Sequence, residues 1–351
     1  MEIFYIIKIL LLAITAFIFT VAWTPILTHF LYKYKLGKKI RNNGQTPVFT
    51  KLHAHKEGTP TMGGVLIWVT ALIFILFFYY LARFFPEQEI LQHFNFLSRK
   101  ETLLPLGVLV ATALVGLFDD WLDVRGRGGS KTGGLGMKHR FLIYTAIACI
   151  GAWWFYFKLN WTVLAVPFLG TFEISWWYIP FFIFVIVGTA FSVNETDGLD
   201  GLAGGNLLTA FSTFTAISFV LGRYDLAAFC AVITGALLAF LWFNIPPARF
   251  YMGDTGAMSL GITLGVIALL TNTALLLPII GFVFVLESLS VILQVASKKL
   301  RQGKKLFISA PFHHHLQARG WGEPKIVMRL WVIAGMSSVL GLIIFLLDRF
   351  L

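Results

Sequence analysis

Long apolar runs alternate with short polar stretches along nearly the whole chain. Ten runs can be delimited, at 3–27, 62–82, 103–118, 141–158, 176–193, 203–221, 226–243, 256–273, 276–297 and 326–347. A hydrocarbon core about 30 Å thick is crossed by a helix of roughly 17–25 apolar residues, and most of the runs reach that length. None shows the strict apolar–polar alternation of a transmembrane strand. A helix closes all its backbone hydrogen bonds within itself, so helices are the spanning solution this pattern predicts. The expected fold class is all-α: a polytopic membrane protein with about ten transmembrane helices, forming one integral membrane domain over 1–351. The first run follows Glu2 rather than a basic segment and is too long for the core of a cleavable signal, so it reads as a retained helix.

Composition agrees. The chain is 58% hydrophobic and 13% charged, with a mean hydropathy of +0.79, whereas soluble domains carry about 25% charged residues. Charge then orients the helices. The loops at 28–61, 119–140, 194–202, 244–255 and 298–329 hold 21 of the 28 Lys and Arg residues. By the positive-inside rule these loops face the cytoplasm, which leaves both termini extracytoplasmic. The net charge of +11 is then mostly a cytoplasmic collar. Such a collar attracts anionic lipid, and it also funnels an anionic substrate; a nucleic-acid partner is not expected. Cys149 and Cys230 lie in apolar runs, where free cysteines act as small hydrophobes.

With this topology the unusual residues fall on one face. "LFDDWLD" brings Asp119, Asp120 and Asp123 to the end of the third run. "NETDGLDGLAGG" follows the fifth with Glu195, Asp197 and Asp200, "NIPPARFYMGDTGA" supplies Asp254, and "APFHHHLQARGW" supplies His313, His314 and His315. Carboxylates without a surplus of cysteine favour a hard cation, above all Mg²⁺, which needs only one or two protein carboxylates when substrate phosphates complete its shell. Basic loops beside acidic clusters suit a phosphorylated substrate, and glycine-rich turns let backbone N–H groups approach it. Each cluster alone has a plainer reading: a solvated helix end for Asp119 and Asp120, helix capping for Asp197 and Asp200, a polar surface run for the histidines. Together on one face they read as a metal-assisted phosphoryl-transfer site at the membrane surface. "VRGRGGSKTGG" fails as a phosphate loop, because Ser130 stands before Lys131 and Thr132 where glycine is required. Glu287, within an apolar run, is either a functional carboxylate or a structural hydrogen-bonding group.

The motifs "KEGTPTMGG" (56–64), "FDD" (118–120), "NETDGLDGLA" (194–203), "MGDTG" (252–256) and "APFHHHLQARGW" (310–321) occur in an order that resembles the polyprenyl-phosphate N-acetylhexosamine-1-phosphate transferase superfamily. Within it, the triple histidine and the "TPTMGG" box resemble the phospho-N-acetylmuramoyl-pentapeptide transferase family. The resemblance spans 56 to about 332. It implies an inner-membrane enzyme of bacteria, a homodimer with its site on the cytoplasmic face. Such an enzyme moves phospho-MurNAc-pentapeptide from UDP-MurNAc-pentapeptide to undecaprenyl phosphate with Mg²⁺, giving lipid I and UMP for peptidoglycan synthesis. A sister transferase using UDP-GlcNAc shares the aspartates, and an ion-coupled transporter is the rival of another class.

Carried over position by position, the resemblance implies Asp254 as Mg²⁺ ligand and Asp119 as the base acting on the lipid phosphate. Asp120 helps to bind metal or the lipid head group. Asn194, Asp197 and Asp200 belong to the nucleotide-sugar pocket, with Gly198, Leu199 and Asp200 lining the uracil. Asn244 and Tyr251 fall at uridine contacts, and Lys56 at the nucleotide end. His313, His314 and His315 contact the sugar diphosphate, one of them in acid–base chemistry or an ion pair. Three positions depart from the family pattern. Asp123 stands where lysine is usual, so that Lys131 would have to supply the missing charge. Lys138-His139-Arg140 replaces Arg-x-Lys, and Tyr251 replaces phenylalanine. Direct attack of the lipid phosphate and a two-step route through a phosphorylated carboxylate both remain open.

Overall fold

The computed structural model describes residues 2–37, 58–98, 101–126 and 134–350; Lys56 and Lys131 lie outside them. Among the described residues nine helices are long and apolar enough to cross a membrane. The chain begins with α1 (Glu2–Lys33), α2 (Val65–Phe84), the short α3 (Glu89–Phe94), α4 (Leu103–Arg125) and α5 (Met137–Trp153). A hairpin of β1 (Val163–Val166) and β2 (Gly170–Glu173) follows, then α6 (Tyr178–Thr196), α7 (Leu202–Val220), α8 (Tyr224–Asn244) and α9 (Gly253–Leu270). The C-terminal part comprises α10 (Leu277–Ile280), α11 (Phe282–Leu300), α12 (Phe312–Ala318) and α13 (Glu323–Phe350).

Three differences from the sequence pattern have physical causes. The third and fifth apolar runs end at 118 and 193, but their helices continue to Arg125 and Thr196. Apolarity marks where lipid stops, whereas the backbone stays helical until a residue such as Gly126, at φ +65°, ends it. The run at 276–297 divides at Gly281 into α10 and α11. The buried face of α11 carries Glu287, Ser288, Ser290, Gln294 and Ser297; with Glu287, Lys298 and Lys299 all within its 19 residues, this helix is too charged to count among the nine. The small hairpin, tied down where Ala165 N–H donates to Asn272 Oδ1 at 3.2 Å, was not legible as strand.

The core is built around α8 and α9, whose residues are almost all buried. Helix α9 packs against α4 and α6, and α8 against α1 and α7. Small residues set how close these helices come, as is usual where lipid supplies no hydrophobic drive for association. A Cβ on Gly116 of α4 would lie 2.3 Å from the Asp254 carbonyl oxygen, and one on Gly64 would lie 2.3 Å from Gly256 Cα. The "TPTMGG" segment thus lies directly on "YMGD": Tyr251 N–H donates to Pro60 O at 2.8 Å, and Gly63 and Gly64 N–H donate to Tyr251 O and Met252 O at 2.7 and 2.8 Å. Long faces of α1 and α13 are exposed and apolar, as expected of helices against lipid. At the end bearing the hairpin, Trp153, Trp154, Trp176 and Trp177 are exposed, the amphipathic aromatics typical of a membrane interface.

Candidate active site

The C-terminal ends of α4, α6 and α8 and the N-terminal ends of α5, α7 and α9 meet at the opposite end of the bundle. Their polar residues form two adjoining groups.

The first is a closed ring of charge. Arg140, one turn into α5, donates from Nη2 to Asp254 Oδ2 at 2.6 Å and pairs with Asp119 Oδ2 at 3.0 Å. Its Nη1 donates to Asn194 Oδ1 at 3.1 Å, while Asn194 Nδ2 donates to Asp254 Oδ1 at 2.6 Å. Leu135 N–H closes the far side of Asp119 at 2.6 Å. One guanidinium therefore lies between two carboxylates in a largely buried setting, where mutual attraction and added hydrogen bonds must offset the loss of hydration.

Asp120 serves a neighbouring purpose. Its two oxygens accept from Asp254 N–H and Thr255 N–H, each at 3.0 Å. A carboxylate here answers the free N–H groups and the positive end of α9. Gly253 between them is at φ +73°, and a Cβ there would meet Asp120 Oδ2 at 2.5 Å. Asp120 thereby fixes the backbone that presents Asp254.

The second group is the "TDGLDG" loop and what holds it. Asp197 ends α6, and Gly201 (φ +80°) opens α7. Gly201 N–H donates to Asn244 Oδ1 at 2.9 Å, and Asn244 Nδ2 donates to Phe250 O at 2.8 Å. Asp200 accepts from Ala248 N–H at 3.1 Å, and its own N–H donates to Glu323 Oε1 at 2.8 Å. Leu199 is buried with Leu202, Val327 and Leu330. Asn244, Asp200 and Leu199 thus shape the loop. Tyr251 stands beside it; burial, and to a smaller degree the carboxylates of Asp200, Glu323 and Asp197, push its phenol up to about 12, against a hydrogen bond with Thr59 that acts the other way.

The three histidines have different surroundings. His313 and Glu287 are both fully buried; His313 Nδ1 lies 3.0 Å from Glu287 Oε2, which also accepts from the His313 backbone N–H at 3.2 Å. His313 Nε2 is buried with no hydrogen-bond partner among the described residues and faces Gly198, where a Cβ would stand 2.3 Å away. His314 Nδ1 lies 2.8 Å from Gln317 Oε1, and His315 Nδ1 accepts from Ile308 N–H at 3.2 Å, which leaves its proton on Nε2.

Of the residues named from sequence, Asp119, Asp120, Asn194, Asp254 and Arg140 join the ring, and Asp197, Gly198, Leu199, Asp200, Asn244, Tyr251 and His313 join the loop group. His314 and His315 flank it. Lys138 is exposed on the first turn of α5 and makes no ion pair among the described residues. Sequence reasoning missed Glu323 and Trp331, whose Nε1 donates to Gly201 O at 3.0 Å. An acid at the first turn of a helix ordinarily signals only capping, and a tryptophan inside an apolar run reads as core or lipid contact, so neither stood out. Among the described residues no three acidic, histidine or cysteine side chains enclose a metal by themselves. One or two carboxylate ligands, completed by substrate phosphate and water, are instead the donor set that suits Mg²⁺.

A glycosyl transferase family 4 model matches residues 102–272, the stretch that carries the ring, and the phospho-N-acetylmuramoyl-pentapeptide-transferase signature matches 56–67. A protein of that name from Chloroflexus aggregans is 38% identical over 347 residues, covering 95% of this chain and 89% of its own. The chain belongs to the phospho-N-acetylmuramoyl-pentapeptide-transferase family. Relatives of the same name from Geobacillus thermodenitrificans and Listeria innocua are each 36% identical, over 94% and 93% of this chain and 95% and 94% of their own. It is a multi-pass membrane protein and a phosphoglycosyl transferase.

Proposed function

We propose that this protein transfers phospho-MurNAc-pentapeptide from UDP-MurNAc-pentapeptide to undecaprenyl phosphate, releasing UMP and forming lipid I at the cytoplasmic face of the inner membrane. The observation that carries the reading is the ring of Asp119, Arg140, Asn194 and Asp254 at the helix ends, beside a loop held by Asp200 and Asn244. The loop and Tyr251 would receive the uridine, with the neutral phenol ring stacking on the base. Lys56, Lys131 and Lys138 would add charge from the basic loops.

Asp254 would hold Mg²⁺, with Asp120 beside it fixing the backbone that presents Asp254 and helping to bind the ion; the ion would neutralise charge on the diphosphate and the departing UMP. Asp119 would accept the remaining proton of the lipid phosphate monoester. A lipid phosphate oxygen then bonds to the β-phosphorus as the bond from that phosphorus to the UMP oxygen breaks. Arg140 would exchange one carboxylate for the anionic diphosphate, a planar donor fork matched to phosphate oxygens. His314 and His315 would contact the sugar diphosphate, and His313 would hold the loop at Gly198. Direct transfer with Asp119 as base is preferred here to a route through a phosphorylated carboxylate.

The test is UMP release by detergent-purified protein given UDP-MurNAc-pentapeptide, undecaprenyl phosphate and Mg²⁺. Release that requires both the lipid and Mg²⁺ is expected. Turnover with UDP-GlcNAc in its place would move the protein to the sister transferases.

A further inference from the structure

At the same end of the bundle, the last turns of α1 and Arg249 of the loop 245–251 flank a separate, shallow cleft of about 350 Å³ that is open to the surface. It is lined by Pro25, Thr28, His29, Tyr32, Lys33 and Arg249. None of the six is acidic. Lys33 and Arg249 are exposed, and neither makes an ion pair among the described residues. Arg140, by contrast, is held by two carboxylates.

The cleft is built from two elements held together. Tyr32 Oη donates to Arg249 O at 2.9 Å, and the Arg249 guanidinium lies 5.7 Å from the Phe243 ring centroid. The dipole of α1 by itself accounts for a lysine in the last turn. It does not account for Arg249, which comes from a different element and lines the same space. Along α1 the positions 26, 29, 30 and 33 fall on one face. Ile26 and Phe30 there are 60% and 47% exposed, so apolar side chains lie within two turns of the cations. Cations above an exposed apolar strip match a phosphate with hydrocarbon chains attached, and a soluble anion would have no use for the strip.

We propose that this cleft binds an anionic membrane phospholipid, its phosphate between Lys33 and Arg249 and its chains along Ile26 and Phe30. The assignment stands independently of the proposed reaction. The bound lipid would brace the loop whose Ala248 N–H holds Asp200. Each basic residue at an anionic surface strengthens binding roughly fivefold, so removing both should weaken it by roughly twenty-five-fold.

The experiment is native mass spectrometry of the delipidated full-length protein titrated with phosphatidylglycerol or phosphatidylcholine. One strongly retained phosphatidylglycerol per chain is expected, its binding weakened roughly twenty-five-fold in Lys33→Gln/Arg249→Gln. It should be kept in Lys33→Arg/Arg249→Lys and in Lys298→Gln/Lys299→Gln, which removes the same charge from exposed positions on α11. Equal loss in the two glutamine pairs would show general collar attraction and overturn the site. So would equal retention of phosphatidylcholine, or displacement by millimolar inorganic phosphate. All four residues replaced are exposed, which leaves the folded core untouched.

Discussion

Arg140 holds the candidate site closed, because it is the cation between Asp119 and Asp254. Replacing it with glutamine leaves two carboxylates facing each other and removes the donor fork for phosphate. Transfer measured as kcat/KM should fall by roughly 10²–10³-fold. Arg140→Lys should fall less, since it keeps the charge and loses the paired geometry. Glu287 is the acceptor for two buried donors of His313. Glu287→Leu leaves both unsatisfied at a cost of about 1–3 kcal/mol each, read as a lower thermal midpoint, whereas Glu287→Gln keeps an acceptor and should retain most stability. Tyr251 sets a pH expectation. Its folded-state value is raised above the ordinary 10.0, so the stability it contributes is fully present below pH 10 and is lost as pH rises through about 12. Tyr251→Phe should therefore leave the pH profile of activity between roughly 6 and 9 unchanged. Asp119 and Asp254 were legible in the sequence, because acids at the ends of apolar runs are conspicuous, whereas Asn194 and Arg140 were named only through the family resemblance. The division of labour was not legible: that Asp120 binds backbone while Asp119 and Asp254 share a guanidinium depends on side-chain direction after packing.

Helix contacts carry those directions. The Gly116–Asp254 and Gly64–Gly256 approaches leave no room for a methyl group, so α4, α9 and the start of α2 are locked in register. Gly116→Ala should force α4 from α9, costing roughly 1–3 kcal/mol and moving the Asp119–Asp254 pair apart; thermal unfolding and UMP release should fall together. Gly198→Ala should lower stability and activity together, because the added methyl would stand 2.3 Å from a fully buried imidazole that Glu287 holds in place. The apolar pattern predicted the long helices well, since burial in lipid imposes one length and one period. It misplaced the ends of α4 and α6 by several residues, because polar helical turns project beyond the apolar span. The break at Gly281 was hidden inside one apolar run, and the polar buried face of α11 is a tertiary choice that local pattern does not encode.

Across the molecule, the candidate site and the hairpin with its tryptophans occupy opposite ends of the bundle. The carboxylates of the ring lie at helix ends, which favours chemistry at a surface over transport through the midplane. The charge bias further predicts that the site end faces the cytoplasm. In intact spheroplasts a membrane-impermeant thiol reagent should label Leu169→Cys, in the hairpin, and spare Gly303→Cys, in the loop after α11, both in a background lacking Cys149 and Cys230. The reverse labelling would invert the topology. The central claim is that the ring performs transfer while the adjoining loop binds nucleotide, and Asp254→Asn separates the two. This nearly isosteric change should leave UDP-MurNAc-pentapeptide binding within about threefold while lipid-dependent UMP release falls by roughly 10³-fold or more. Release close to the unaltered rate, with Mg²⁺ still required, would contradict the account.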